Sequence, residues 1–135
     1  MTIEEAWQAT LEQEHAAVYG YGLVGGQLGR DSASARAGLE LHRARRDRCV
    51  QALNALSQIP VAAEPAYRPR TPITNPHAAK GLAADIEQNC SSQYVELAAQ
   101  LDPATREIGA QWLRISAVQQ TQWSNIIPAL PGLTA

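Results

Sequence analysis

Three side chains able to hold a cation or a strong ion pair sit where a buried helix face should be apolar: Glu14, His42 and Glu87. Read in steps of three and four, one stripe runs Trp7, Leu11, Glu14, Val18, Tyr21, Gly25, Leu28. That spacing marks the face a bundle helix buries, here with a carboxylate at its middle. A second stripe runs Leu39, His42, Arg46, Cys49, Leu53, Leu56, and a third Ala83, Glu87, Cys90, Tyr94, Leu97, Leu101. A neighbouring register of the third, through Leu82, Ile86 and Gln93, is nearly as good, so Glu87 lies on the inner face or at its border. The fourth stripe is Ile108, Trp112, Ile115, Gln119, Gln122, Ile126, with Trp123 beside it. Together they predict a polar layer of Glu14, His42, Arg46, Glu87 and Gln119 across an apolar bundle. Arg46 decides its chemistry. A guanidinium is always charged and presents a fork that fits a carboxylate, so Arg46 paired with Glu14 or Glu87 satisfies a buried acid without a metal. Some partner is required, because an unpaired buried carboxylate is costly.

The elements that position this layer follow from capping and breaking signals. Thr2 and Glu5 have capping-box spacing, and Glu4 and Glu5 suit the positive end of a helix dipole. The first helix contains Gly20, Gly22, Gly25 and Gly26, each costing about 1 kcal/mol relative to Ala. Its stripe nevertheless keeps phase to Leu28, which implies close approach of another backbone, within the bundle or across a dimer. Asp31, Ser32 or Ser34 can cap the second helix, Asn75 with Pro76 opens the third, and Asp102-Pro103 separates the third from the fourth. Prolines at 60, 65, 69, 72 and 76 exclude a regular helix between the second and third. About 17 residues at roughly 3.3 Å each reach about 56 Å, more than the ~36 Å of a 24-residue helix. The connection can therefore return along a whole helix. The expected fold is all-α: one domain over 1–135, helices at about 2–28, 33–57, 76–101 and 103–125, and a crossover at 58–75. This is a ferritin-like four-helix bundle of two antiparallel hairpins joined by a Pro-rich crossover.

Composition removes several functions. The net charge of -2, from 11 basic and 13 acidic residues, gives no field that would attract nucleic acid or an anionic membrane. The basic run Arg43, Arg45, Arg46, Arg48 reads mostly as a solvated face, with Arg43, Arg45 and Arg48 off the inner stripe. No apolar run is long enough to cross a bilayer. The acidic start "MTIEEAWQAT" lacks the features of a signal peptide, so a cytoplasmic protein is expected. The two cysteines, Cys49 and Cys90, read as buried thiols, with a reversible pair open if their helices run parallel. "GYGLVG", Gly20 to Gly25, spells G-x-G-x-x-G but lies inside a helix, whereas a dinucleotide site needs a strand before it. His15 and His77 read as surface residues, and no catalytic Ser-His-Asp or Cys-His set follows from the spacings.

The segments "EHAAVYGYGLVGG", "LHRARRDR" and "PAYRPRTPITNP" followed by "DIE" resemble an uncharacterised ferritin-like family found mainly in actinobacteria. The likeness covers most of the chain. It implies the bundle fold and a homodimer, but no activity. It also implies a comparison with di-iron bundles, which place a Glu on each of two helices and Glu-x-x-His on each of the others. Glu14 and Glu87 match the single carboxylates. Leu39-x-x-His42 keeps only the imidazole, with Glu40 one position off, and Gln119-x-x-Gln122 keeps neither ligand. Arg46 would repel a divalent ion in the same pocket. The expectation is a metal-free bundle acting as a structural, interaction or ligand-binding protein, with no enzymatic activity assigned. The alternative is an oxidase or iron-handling protein holding iron or manganese on Glu14, His42 and Glu87. An apolar ligand beside Ala17, Gly22 and Gly25 is a third expectation.

Overall fold

The computed structural model describes residues 1–29, 32–124 and 132. Four helices account for most of them: α1 (Ile3–Leu28), α2 (Ala33–Ala55), α3 (Pro76–Ala98) and α4 (Pro103–Ser124). Each start is chemically marked. Thr2 Oγ1 accepts from the Glu5 amide at 3.1 Å while Glu5 Oε2 accepts from the Thr2 amide at 2.7 Å, a complete capping box. Ser32 takes the Ala35 amide, so of the three candidate caps for α2 it is Ser32 that caps; Asp31 lies outside the described residues. Asn75 Oδ1 accepts from the Ala78 amide at 2.8 Å, with Pro76 in the first turn where its missing N–H costs nothing. Asp102 Oδ2 accepts from both the amide and the hydroxyl of Thr105. α1 stops at Gly29, whose φ of 94° favours glycine. α3 ends at Ala98, and Leu101, the expected end of its stripe, is 89 % exposed. Ile126 and the tail from Pro128, apart from Gly132, lie outside the described residues.

Residue pairings set the directions. Glu14 meets Tyr94 and Tyr21 meets Glu87, so α1 and α3 are antiparallel. His42 meets Glu87 and Arg45 meets Tyr94, so α2 and α3 run parallel. Trp7 packs on Trp112 and Tyr21 on Trp123, so α4 runs with α1. These directions require a connection spanning the bundle's length, and the crossover runs along α1. Gln8 holds its start, donating to the Ile59 carbonyl at 2.7 Å and accepting from the Val61 amide at 2.9 Å. His15 Nε2 lies 3.0 Å from the Val61 carbonyl, and Tyr67 packs edge-on against Tyr19. The result is two antiparallel hairpins joined by a long crossover, the connectivity of ferritin-like bundles.

The core keeps the expected faces with a shift in phase. On α1 the buried positions include Trp7, Leu11, Glu14, Ala17, Tyr21 and Val24, and Val18 and Gly25 are only half-buried. A straight helix drifts about 20° per heptad against a strict seven-residue stripe, enough to exchange 18 for 17 and 25 for 24. Gly22 and Gly26 face outward with nothing near them. Close packing falls instead on Gly20, where a Cβ would strike the Ile86 side chain, on Gly38, where it would strike the Tyr21 ring, and on Gly109, where it would strike the α3 backbone at Leu97 and Ala98. α1 packs against α2 and α3, and α3 against α4. Among the described residues no Cα of α2 lies within 8 Å of one of α4. No described helix is long and apolar enough to cross a membrane.

Candidate functional site

Glu14, His42 and Glu87 meet at the bundle centre, all 0 % exposed. His42 of α2 lies between the two acids, with Nδ1 2.7 Å from Glu14 Oε2 and Nε2 2.8 Å from Glu87 Oε2. Each acid takes a second donor from a tyrosine on the opposite helix. Tyr21 of α1 donates to Glu87 Oε2 at 2.5 Å, and Tyr94 of α3 donates to Glu14 Oε1. The exchange is reciprocal because Glu and Tyr are seven residues apart on both helices. Seven residues make nearly two turns, so in an antiparallel pair one match enforces the other. The phenols are themselves tied down. Trp123 Nε1 donates to Tyr21 Oη at 3.1 Å, and Arg45 Nη1 donates to Tyr94 Oη at 2.9 Å and Ser116 Oγ at 2.8 Å. One hydrogen-bonded chain therefore runs Trp123, Tyr21, Glu87, His42, Glu14, Tyr94, Arg45, Ser116, and touches all four helices.

This corrects the expected layer at two positions. Arg46 is not in it. Its side chain is one-third exposed and bonds Asp47 on the surface at 3.1 Å. The buried cation is Arg45, 2 % exposed, which the sequence places on the solvated face. Stepping from His42 to Cys49, positions 45 and 46 lie almost symmetrically about the inner meridian, so periodicity alone does not choose between them. The acceptors Tyr94 and Ser116 do, with the rings of Tyr94 and Trp112 at 5.0 and 5.4 Å from the guanidinium carbon. On α4 the inner face is Thr105, Gly109 and Ser116, rotated from the expected stripe. Ile115 and Gln122 are consequently exposed, and Gln119 is half-buried with its Oε1 covered and, among the described residues, unpartnered. His15 binds the crossover, and His77 is exposed in the first turn of α3.

The charges are mutually supporting. Burial opposes the charge on His42, but Glu14, with hydrogen bonds to both acids, holds its pKa well above 6.5. Burial likewise opposes the charge on Glu87, yet His42 and the Tyr21 hydroxyl bring its pKa below 4.5. Burial and the adjacent carboxylates push both tyrosines up, keeping them as donors. Two acids face an imidazolium and a guanidinium, so the interior holds separated charges with little net charge, which limits the cost of burying them. Cys90 donates to the Gln13 carbonyl at 3.8 Å, and burial beside Glu14 pushes its thiol up to about 11. Cys49 is raised further, chiefly by burial. Both are free thiols poorly disposed to ionise.

The donor set does not fit a dimetal centre. Both nitrogens of His42 are engaged by carboxylates, which fixes it as a two-fold donor, whereas a ligating imidazole must offer a lone pair. Helix α4 contributes a serine and a half-buried amide, and Arg45 brings a fixed positive charge to the layer. Among the described residues, Glu14, His42 and Cys90 bring one ligand atom each within 4.8 Å of one another.

Tyr21 and Tyr94 stand on the sequence stripes but not among the expected site residues. The signal that could have found them is Glu-x6-Tyr, present on both α1 and α3. Arg45, Ser116 and Trp112 carry no such local signal.

A solved structure similar to this chain is that of a conserved hypothetical protein, rv2844, from Mycobacterium tuberculosis. It is 25 % identical with a TM-score of 0.85, over 91 % of this chain and 95 % of that one. Among curated proteins none matches. The model of a family described as a domain of unknown function, DUF4439, matches residues 6–135. With nearly its whole length covered, the chain belongs to the DUF4439 family.

Proposed function

We propose that this protein is a metal-independent ligand-binding bundle, in which a fixed network of charges occupies the place where ferritin-like proteins hold metal. The observation that carries this reading is His42, clasped between Glu14 and Glu87 through both ring nitrogens. A histidine so held is a structural cation and has no lone pair left for a metal. Arg45 adds a second charge of the same sign. The network needs no exogenous ion to be neutral, and it fixes the four helices around a seam that stays open between α2 and α4.

The competing reading is a single divalent ion, iron or manganese, on Glu14, His42 and Glu87, with Cys90 near enough to replace one of them. The spacing of the Glu14, His42 and Cys90 donor atoms favours it. Elemental analysis of protein purified without added metal separates the two. The expected result is no stoichiometric metal, and no absorbance change when anaerobic Fe(II) is followed by air. Stoichiometric metal that vanishes in Glu14→Ala would establish the competing reading instead.

A further inference from the structure

A cavity lies on the flank of the bundle where the crossover passes over α1 and α3. Its volume is about 150 Å³, and an apolar space of that size admits one six-membered ring. Ala17, Gly20, Ile86 and Cys90 form its buried wall. The room comes from α1, which presents Ala16, Ala17 and Gly20 where larger side chains would fill the space. Tyr67 and Pro69 of the crossover, both half-buried, close over it. That cover is tied down. The Tyr67 ring meets the Tyr19 ring edge-on at 5.8 Å, and the Tyr67 hydroxyl accepts from the Glu64 amide at 2.9 Å.

Three charged side chains also line the cavity: Arg68 and Arg70 of the crossover and Asp85 of α3. Both arginines are exposed, so an occupant can reach them. Among the described residues neither has a carboxylate within 4.0 Å, and Asp85 has no cation within that distance. Two positive charges against one negative leave an excess that a single negative charge on the occupant balances. A cation would meet that excess, and a dianion would overshoot it. Guanidinium groups take a carboxylate through paired N–H bonds. An apolar wall with a few polar groups beside it suits an acid with an apolar body, and the Tyr19 and Tyr67 rings suit an aromatic one.

We propose that the cavity beneath the crossover binds a single-ring aromatic monocarboxylate, its ring laid against Ala17, Gly20 and Ile86 and its carboxylate taken by Arg68 and Arg70. This gives a place and a ligand class to the reading of the protein as a ligand-binding bundle, on which it rests.

The test is calorimetric titration of the full chain with benzoate and with phenylacetate. Benzyl alcohol lacks the charge, benzylamine reverses it, and acetate lacks the ring. At least one aromatic acid binds, and the three controls bind at least roughly tenfold more weakly. Arg68→Gln and Arg70→Gln together, at exposed positions, weaken binding by roughly tenfold. Asp85→Asn removes the opposing charge and tightens binding by roughly threefold. Ala16→Phe fills the cavity and abolishes binding. Circular dichroism confirms that each variant is folded, and the charge variants carry the test if Ala16→Phe is not. Binding of neither acid to the folded chain, or equal binding of any control, overturns the proposal. So does wild-type affinity in the double arginine variant or in folded Ala16→Phe, or an Asp85→Asn that fails to tighten. Metal analysis of the same sample keeps the two failures apart. Stoichiometric metal bound through Glu14 overturns the metal-free reading, whereas a metal-free chain that binds neither acid overturns the crossover site alone.

Discussion

Between α1 and α3 the meeting side chains are small or exchange hydrogen bonds, though Glu87 Oε1 has no partner among the described residues. Gly20 lets Ile86 lie against the α1 backbone, and each helix's glutamate is bonded by the other's tyrosine. Between α2 and α4 the meeting side chains are large and only partly satisfied. Arg45 reaches across to Ser116 and Trp112, and among the described residues its Nε and Nη2 have no partner. Small residues let backbones approach, and reciprocal polar bonds close what remains; an arginine and a tryptophan hold helices apart. One bundle therefore has a closely packed α1–α3 side and a wider α2–α4 side.

The largest test of that contrast is on the closed side. Glu87→Ala strands His42 and Tyr21 in a dry interior and is expected to cost about 3–5 kcal/mol in urea unfolding, as for a broken buried ion pair. A cost near 1 kcal/mol would mean that the network contributes little to rigidity. Steric tests come next. A Cβ on Gly20 already comes within 2.6 Å of Ile86 Cδ1, so Gly20→Leu should overpack the seam by about 1–3 kcal/mol or more. Ala44→Leu, exposed at the open seam, should stay within about 0.5 kcal/mol. Equal costs would erase the difference between the two sides.

The pH dependence sharpens it further. His42 holds its proton more tightly folded than unfolded, so its contribution is complete below pH 6.5 and is lost as pH rises toward the raised folded value. Glu87 is the reverse, contributing fully above pH 4.5 and losing that contribution as pH falls through its lowered folded value. Stability should peak between these limits and fall above pH 6.5 by up to about 1.4 kcal/mol per pH unit, one proton's slope. Urea midpoints from pH 5 to 9 should show the decline in the wild type and a flatter line in His42→Gln. An unchanged slope in His42→Gln would remove His42 as its source. The smallest expected effect is Arg46→Ala, within about 0.5 kcal/mol, since its contact with Asp47 is at the surface. A cost of several kcal/mol there would restore Arg46 to the core in place of Arg45.

Much of the polar centre was legible from spacing, and the reason is local. Glu14, His42 and Glu87 interrupt apolar stripes, and a buried polar residue needs partners of the same kind nearby. The paired Glu-x6-Tyr spacing was equally present but becomes meaningful only once α1 and α3 are known to be antiparallel. Arg45 and Ser116 were not legible. Neither breaks an apolar stripe, and each is buried because of what the other presents.

By itself the sequence determined four helices, where they start, the long return of the crossover, and three of the residues at the centre. Capping, proline placement and a 3.6-residue period act within a few turns and need no partner helix. Only the tertiary structure decided that Arg45 rather than Arg46 faces inward, that α4 turns Ser116 rather than Gln119 to the network, and that the α2–α4 seam stays open. On a helix the residues flanking the inner meridian are nearly equivalent, and the choice falls to the acceptors, rings and empty space supplied by another part of the chain.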